Sequence, residues 1–254
     1  MPAVKEFDPK VISLLQERIK MINTENGAIY LVGPINLPIN LRGETVQFKW
    51  YCWLNCSEVT EDFEHIVAKL SNVNLAEYQQ SSVLVHGDFE NADHALIRFH
   101  SICHTGDIFG SKRCDCGYQL EQSLMHIAEH GTGALFYLAN HEGRGIGLFS
   151  KALAYILQQN GYDTVDANLK LGFVDDARDY SDAIQVLNVL RTKPVTLITN
   201  NPKKIDALRN AGMAVEDRVQ LWGDVSEYNE KYLKTKIERS GHINEGNGSC
   251  NNDE

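Results

Sequence analysis

Four short apolar segments decide the fold of this chain: SSVLVHG at residues 81–87, ALIRFH at 95–100, GALFYLA at 133–139 and VTLITN at 195–200. Branched or aromatic side chains recur in each of them, which is typical of buried strands. Segments with helical spacing separate these strands. Strands that alternate with helices predict an α/β fold, so we expect a layered α/β/α domain built on a mixed sheet.

The helical segments end at recognisable residues. Apolar residues at helical spacing run up to Gly131, up to Gly161 and up to Gly212, and glycine commonly ends a helix. An earlier helical pattern covers residues 11–19, with Ile19 as its last apolar member. These patterns predict one helix at the start of the chain and three among the strands of the α/β region.

Composition divides the chain into three parts. Residues 1–80 mix a helical pattern with strand-like runs and contain no motif that we can connect to chemistry, so we expect an N-terminal α/β extension of unclear role. The motifs lie in a main domain over residues 81–240. Residues 241–254 are rich in Gly, Asn, Ser and acidic side chains, which predicts a disordered tail.

The charge balance limits the possible partners. The 254 residues include 24 Lys and Arg against 34 Asp and Glu, for a net charge of −10. Because this field repels nucleic acid and anionic membranes, we expect neither as a partner. No apolar run approaches the roughly 20 residues that cross a bilayer, and the first ten residues are charged where a signal peptide is apolar. We therefore expect a cytoplasmic protein.

Three cysteines lie close together in HSICHTGDIFGSKRCDCGYQL, at residues 100–120. Clustered thiols in a reducing compartment are typical of metal sites, and Cys103, Cys114 and Cys116 would supply three corners of a tetrahedron. Zinc is favoured because soft thiolates suit it and it has no redox chemistry. Three thiolates give the complex a net negative charge, so a catalytic site would need help from nearby cations.

The spacing of the cysteines leaves the type of site open. A fourth Cys or His ligand would close a structural site, whereas water in that position would leave a catalytic one. The candidates for the fourth ligand are Cys52, Cys56, His100 and His104. Buried thiols without any metal are a further possibility.

Two strand-to-helix junctions offer places for an anion. EGRGIGL at 142–148 sets three glycines beside Arg144 and Lys151, where backbone amides can approach a phosphate. TNNPKK at 199–204 is a second junction of this kind. Between them, FVDDARDY at 173–180 holds an Asp and an Arg two positions apart, which a surface salt bridge would also explain.

Seven motifs over roughly residues 84–240 resemble those of GTP cyclohydrolase II, the zinc enzyme that opens the imidazole ring of guanine at the start of riboflavin synthesis. In the family's order they are RFHS, CHTGD, GSKRCDCGYQL, EGRGIGL, GYDTVDAN, LGFVDDARDY and TNNPKK. The resemblance implies a homodimer that hydrolyses GTP and releases formate and pyrophosphate. The product would be 2,5-diamino-6-(5-phosphoribosylamino)pyrimidin-4(3H)-one.

The resemblance also implies which residues bind metal and substrate. Catalytic zinc, with water as its fourth ligand, would be held by Cys103, Cys114 and Cys116, and Mg²⁺ would accompany the triphosphate. GTP would be bound by Arg98, His100, Ser101, Gln119, Glu142, Gly143, Arg144, Thr164, Thr199 and Lys204.

Three further residues take catalytic roles by the same resemblance. Tyr155 would lie near the reacting ring, Asp176 would accept a proton, and Arg178 would attack the α-phosphate as a nucleophile. Because a guanidinium group with a pKa above about 12 is a poor nucleophile, stabilising the charge on the transferred phosphate is a simpler role for Arg178. Glu142 could accept hydrogen bonds from N1 and the exocyclic amine of guanine, a pairing that adenine does not offer.

Other interpretations remain open beside this one. Ile102 stands where the family usually has an acidic residue, which leaves room for a paralogue that stops at a different product. A catalytically degenerate nucleotide- or zinc-binding protein is a second alternative, although it would have no need of the full set of site residues. A zinc nucleobase deaminase would show H-x-E and P-C-x-x-C signatures, and this sequence has neither.

Overall fold

A computed structural model describes residues 8–70, 74–75, 80–223 and 225–244. Its strands are β1 (Ile19–Thr24), β2 (Gly27–Leu41), β3 (Glu44–Cys56), β4 (Ser82–His86), β5 (Leu96–Ser101), β6 (Gly133–Leu138), β7 (Val195–Ile198) and β8 (Val215–Val219). Its α-helices are α1 (Pro9–Gln16), α2 (Phe63–Leu70), α3 (Cys116–His130), α4 (Leu148–Gln159), α5 (Thr164–Lys170), α6 (Ser181–Leu190), α7 (Pro202–Asn210) and α8 (Glu230–Glu238).

The strands form one sheet in the order β1-β2-β3-β4-β6-β5-β7-β8. From β1 to β6 along this order every pairing is antiparallel, whereas β6, β5, β7 and β8 run parallel to one another. The expected α/β fold with a mixed sheet is confirmed. In the part of the chain that the structure describes, no helix is both long enough and apolar enough to span a membrane.

The first three strands continue the sheet of the main domain. β3 pairs with β4, with Trp50 opposite Leu84. β2 and β3 form a long hairpin whose two-residue turn, Arg42 and Gly43, has positive φ at both positions, as tight hairpin turns require. The division of the chain near residue 80 stays a prediction, but residues on its two sides share backbone hydrogen bonds.

Local signals predicted the helix ends correctly in the main domain and less well at the start of the chain. α3 ends at His130, and Gly131 follows it in a left-handed conformation. The opening helix was expected to include Ile19, and this is wrong. α1 ends at Gln16, and Ile19 begins β1 opposite Val32, because pairing with β2 satisfies its backbone. Residues 245–254 of the expected tail lie outside the described residues.

Strand β5 shows how the hydrophobic core and the polar cleft share one sheet. Successive side chains on a strand point to opposite faces. Ile97 and Phe99 lie in the main core, where the ring of Phe99 is 4.8 Å from that of Phe136. Arg98 and His100 alternate with them and line the cleft instead. The sheet thus holds two buried polar side chains at fixed positions beside the cleft.

Candidate functional site

The cleft lies where the parallel strands β5, β6 and β7 end. The carboxyl ends of parallel strands meet at one edge of a sheet, and ligands of open α/β sheets bind outside that edge. The loop after β5 leads to Cys103, the loop after β6 is a tight helical segment at Ala139–Arg144, and the loop after β7 leads into α7. This topology brings together three motifs that are far apart in sequence.

All but one of the predicted site residues line this cleft, which encloses about 1110 Å³ including its open mouth. They are Arg98, His100, Ser101, Cys103, Cys114, Cys116, Gln119, Glu142, Gly143, Arg144, Tyr155, Thr164, Arg178, Thr199 and Lys204. Asp176 is not among the lining residues, and it reaches the cleft through its ion pair with Arg178.

Three sulfur atoms converge at one point of the cleft. The Sγ atoms of Cys103, Cys114 and Cys116 all lie within 4.8 Å of one another, and no other His, Cys, Asp or Glu among the described residues joins the group. A Cβ atom at Gly106 would lie 2.9 Å from Cys114 Sγ, so a glycine is needed to let the backbone come this close. The donor set and the spacing fit a metal ion.

The backbone next to Cys103 is fixed by a buried carboxylate. Asp107 Oδ2 accepts hydrogen bonds from the Cys103 backbone N–H at 2.9 Å, from His100 Nε2 at 3.0 Å and from the Tyr137 hydroxyl at 3.0 Å. The acceptor oxygen of a carboxylate requires that His100 Nε2 donates, so this nitrogen is not available as a metal ligand. Asp107 therefore shapes the π-helical turn His104–Ile108 that follows the first cysteine.

Glu142 and Lys151 form a buried ion pair beside the sulfurs. Lys151 Nζ donates to Glu142 Oε1 at 2.6 Å and to Cys103 Sγ at 3.2 Å. Glu142 Oε2 accepts the backbone N–H of His104 at 2.7 Å. Burial opposes the charge on Lys151, but the neighbouring Cys103, Tyr155 and Glu142 outweigh it and raise the pKa of Lys151 above its usual range.

The thiol of Cys103 is favoured in its ionised form. Its pKa lies well below the usual range, because Cys114 and Cys116 donate hydrogen bonds to it and the Lys151 ammonium group lies beside it. A thiolate is the form that binds a metal. Neighbouring side chains thus favour the thiolate form of Cys103, the form in which it can bind a metal.

In the glycine-rich junction at residues 142–148, two backbone amides donate within the turn and are not left open for an anion. Gly143 and Gly147 have φ values of +61° and +84°, a region that glycine enters without strain. The backbone N–H groups of Gly145 and Gly147 both donate to the carbonyl oxygen of Glu142. These amides hold the turn before α4 in shape, and the charge offered to an anion in this cleft comes from side chains.

Asp176 and Arg178 form a two-point ion pair. Arg178 Nε donates to Asp176 Oδ1 at 2.8 Å, and a terminal nitrogen of Arg178 donates to Oδ2 at 2.7 Å. Burial alone would raise the pKa of Asp176, but Arg178 lowers it far below the usual range. The same pairing raises the pKa of Arg178. Arg178 therefore stays charged and also reaches Ser101 Oγ at 3.4 Å.

Buried cations gather on the cleft wall near Arg178. Lys204 donates to the carbonyl oxygen of Phe99 at 2.5 Å and is almost fully buried. Its pKa lies well below the usual range, first because of burial and then because Arg98, Arg178 and Lys236 are positive. Such a cluster would gain from an anion in the cleft, since a negative charge offsets the repulsion among its members.

Several cleft residues were not predicted from the sequence. Lys236, on α8, lines the cleft and donates to Asp115 Oδ1 at 2.7 Å, and Tyr232 and His242 line it from the same end of the chain. Asp115 stands between Cys114 and Cys116 in sequence, and nothing in that segment identifies its partner. The pairing joins residues 121 positions apart, and no local pattern encodes such a contact.

The sequence of this chain matches a known protein family and several curated proteins. The profile of the GTP cyclohydrolase II family matches residues 64–220. The chain is 52% identical over 163 residues to riboflavin biosynthesis protein RibBA of Chlamydia trachomatis serovar D, covering 64% of this chain and 38% of that protein. It is 47% identical over 171 residues to the RibBA protein of Bacillus velezensis, covering 67% of this chain and 43% of that one.

A third relative shows the same partial coverage. The RibBA protein of Bacillus subtilis strain 168 is 51% identical over 148 residues, which cover 58% of this chain and 37% of that protein. The chain therefore spans about two fifths of the length of the curated relatives it matches. The profile covers more than half of the chain, and on that match the chain belongs to the GTP cyclohydrolase II family.

Proposed function

We propose that this chain hydrolyses GTP, opens the imidazole ring of guanine and releases formate and pyrophosphate. The product is 2,5-diamino-6-(5-phosphoribosylamino)pyrimidin-4(3H)-one, and the reaction is the first step of riboflavin biosynthesis. One observation supports this most: a cluster of three cysteines and a cluster of buried cations line the same cleft, beside the residues that the family's motifs single out. A catalytically degenerate binding protein would have no need of both clusters.

The metal in this proposal is zinc, held by Cys103, Cys114 and Cys116. The close approach of Gly106 to two of the sulfurs supports a site built around an ion rather than three separate buried thiols. When bound, zinc supplies a Lewis acid and activates water for attack on an electrophilic ring carbon. Thr105 links Tyr155 to the cysteine cluster. Its hydroxyl lies 3.3 Å from the Tyr155 hydroxyl and 3.6 Å from Cys103 Sγ.

Glu142 is the proposed acceptor for the guanine base. Its Oε1 already accepts from Lys151 and from the backbone N–H of Gly143, while Oε2 accepts only from His104 within the described residues. A carboxylate oxygen has two lone pairs, so Oε2 keeps one for a donor on the base. Guanine presents the N1–H donor to this lone pair, whereas adenine would present an acceptor nitrogen, which favours guanine over adenine.

The triphosphate is proposed to lie against the cations Arg98, Arg144, Arg178 and Lys204, with Mg²⁺ bound to it. Phosphoryl transfer depends mainly on positioning and on stabilising charge, and a buried cluster of this kind suits both. Asp176 holds the plane of Arg178 by two hydrogen bonds. We therefore assign Arg178 to charge stabilisation at the α-phosphate and Asp176, whose proton affinity is low, to orienting it.

The proposal includes a homodimer in the cytoplasm that acts without nucleic acid or membrane. Helix α4 supports the dimer, because Leu148, Phe149, Leu153 and Ile156 leave an apolar surface exposed, with Phe149 79% accessible. Apolar surface of this kind is typical of interaction sites. The net charge of −10 supports the absence of nucleic acid and anionic membranes as partners, whereas the buried cations of the cleft attract an anionic substrate locally.

Zinc content tests the ligand set. We expect about one zinc ion per chain, retained when Cys52 and Cys56 are both replaced by Ser and lost in Cys116→Ser. Elemental analysis of the purified proteins measures this directly. Loss of zinc from the double variant at Cys52 and Cys56 would contradict the assignment.

The variant Glu142→Gln tests recognition of the base. We expect GTP turnover to fall by about 100-fold or more while zinc is retained, because an amide nitrogen would face a donor on guanine. Formate release and metal content are measured together. Glu129→Gln, at an exposed position of α3, is the control and should keep full turnover. Unchanged turnover in Glu142→Gln would place base recognition elsewhere.

Arg178→Lys tests whether the two halves of the reaction are separate. Lysine keeps the charge but loses the planar fork, so pyrophosphate release should fall by about 100-fold. Arg209→Lys, at an exposed site on α7, should have no effect. A zinc-free Cys114→Ser variant should still release pyrophosphate without formate. Loss of both products in strict proportion in both variants would show that one shared step controls them.

A further inference from the structure

Lys151 differs from every other cation of the cleft in what it contacts. Its ammonium group lies between a carboxylate and a sulfur, 2.6 Å from Glu142 Oε1 and 3.2 Å from Cys103 Sγ. Its third neighbour is the ring of Tyr155, with 5.7 Å between Nζ and the ring centre. The side chains of Lys151 and Glu142 are 11% and 1% exposed. Lys151 thus contacts the sulfur cluster, whereas the hydrogen bonds of Arg98, Arg178 and Lys204 go to oxygen atoms.

The contacts of Lys151 close a ring around Cys103. Glu142 binds Lys151 with one oxygen and the backbone N–H of His104, the next residue after Cys103, with the other. Cys103 is therefore held through its sulfur on one side and through the adjoining peptide on the other. Removing the ammonium group would free the sulfur and leave the buried carboxylate of Glu142 without its cationic partner, although two backbone N–H groups still donate to it.

The charge on Lys151 also affects the sulfur itself. Three thiolates around a divalent ion give a net negative complex, which makes the ion a weaker Lewis acid. A cation that donates a hydrogen bond to one thiolate withdraws electron density from it, and groups just outside the ligands commonly tune a metal in this way. Among the described residues, Lys151 is the cationic side chain that donates a hydrogen bond to a cysteine of the cluster.

We propose that Lys151 is a positioning residue for the metal centre: it holds Cys103 Sγ against Glu142 and lowers the electron density that this sulfur donates to a bound metal. The proposal rests on the proposed function, and it assigns Lys151 to the ring-opening half of that reaction. Phosphate binding stays with the other cations. The sequence suggested an anion-binding lysine here, and the geometry points to the thiolate instead.

Cobalt spectroscopy of the intact chain tests the electronic part. The metal-free protein is loaded with Co²⁺ alone, and the thiolate-to-cobalt charge-transfer band is recorded for wild type, Lys151→Met, Lys151→Gln, Lys151→Arg and the exposed-site control Lys170→Met. We expect the band to move to lower energy in Lys151→Met, because the sulfur electrons become easier to remove. Lys151→Arg should restore the wild-type band, and the control should match it.

The same proteins loaded with zinc test the catalytic part. Formate release from GTP should fall by about 10- to 100-fold in Lys151→Met, in the range found for groups behind metal ligands, while pyrophosphate release changes less. Lys151→Gln keeps a hydrogen-bond donor without charge and should lie between the wild type and Lys151→Met in both measurements. It also supplies the test if Lys151→Met does not fold.

Two results would overturn the proposal. One is a cobalt band that stays at the wild-type position in a folded, fully loaded Lys151→Met or Lys151→Gln protein. The other is formate and pyrophosphate release that fall together, which would make Lys151 part of general substrate binding. Absence of formate from the wild-type enzyme would count against the proposed function alone, because the cobalt band is measured without GTP.

Discussion

The buried charges of the cleft must be balanced by partner side chains, and the arrangement of the site depends on this balance. Three sulfurs within 4.8 Å of one another and several cations with little exposure would each be unfavourable alone. The protein offsets the first with Lys151 and the second in part with Asp115, which binds Lys236. Both of these pairs join side chains that are far apart in sequence, so they form only when the elements that carry them have packed together.

The parallel half of the sheet explains how distant motifs come to share this cleft. β5, β6 and β7 end at the same edge, and each is followed at once by a loop that contributes site residues. Alternation along β5 sends Phe99 into the core and His100 toward the site. Packing of the core therefore fixes the distance between the loop that carries Cys103 and the wall of buried cations that includes Lys204.

Local patterns predicted what local forces determine. The four apolar strands, the end of α3 at Gly131 and the convergence of three cysteines follow from composition and spacing, and the structure contains all of them. Contacts between distant residues could not be predicted in this way. Ile19 begins β1 because it pairs with Val32 of the next strand, and Lys236 pairs with Asp115, 121 positions away; the apolar spacing around each residue encodes neither contact. The contact of Lys151 with Cys103 could not be predicted for the same reason, since the two residues lie 48 positions apart.

If one cleft performs both ring opening and pyrophosphate release on a single GTP molecule, one enzyme must yield both products from the same substrate. The most direct measurement is an anaerobic incubation of the zinc-loaded, intact chain with GTP and Mg²⁺, in which formate and pyrophosphate are quantified and the pyrimidine is identified by mass. We expect equal amounts of formate and pyrophosphate and a product with the mass of the diamino-phosphoribosylamino-pyrimidine. Consumption of GTP without formate, or a product that keeps its triphosphate, would contradict it.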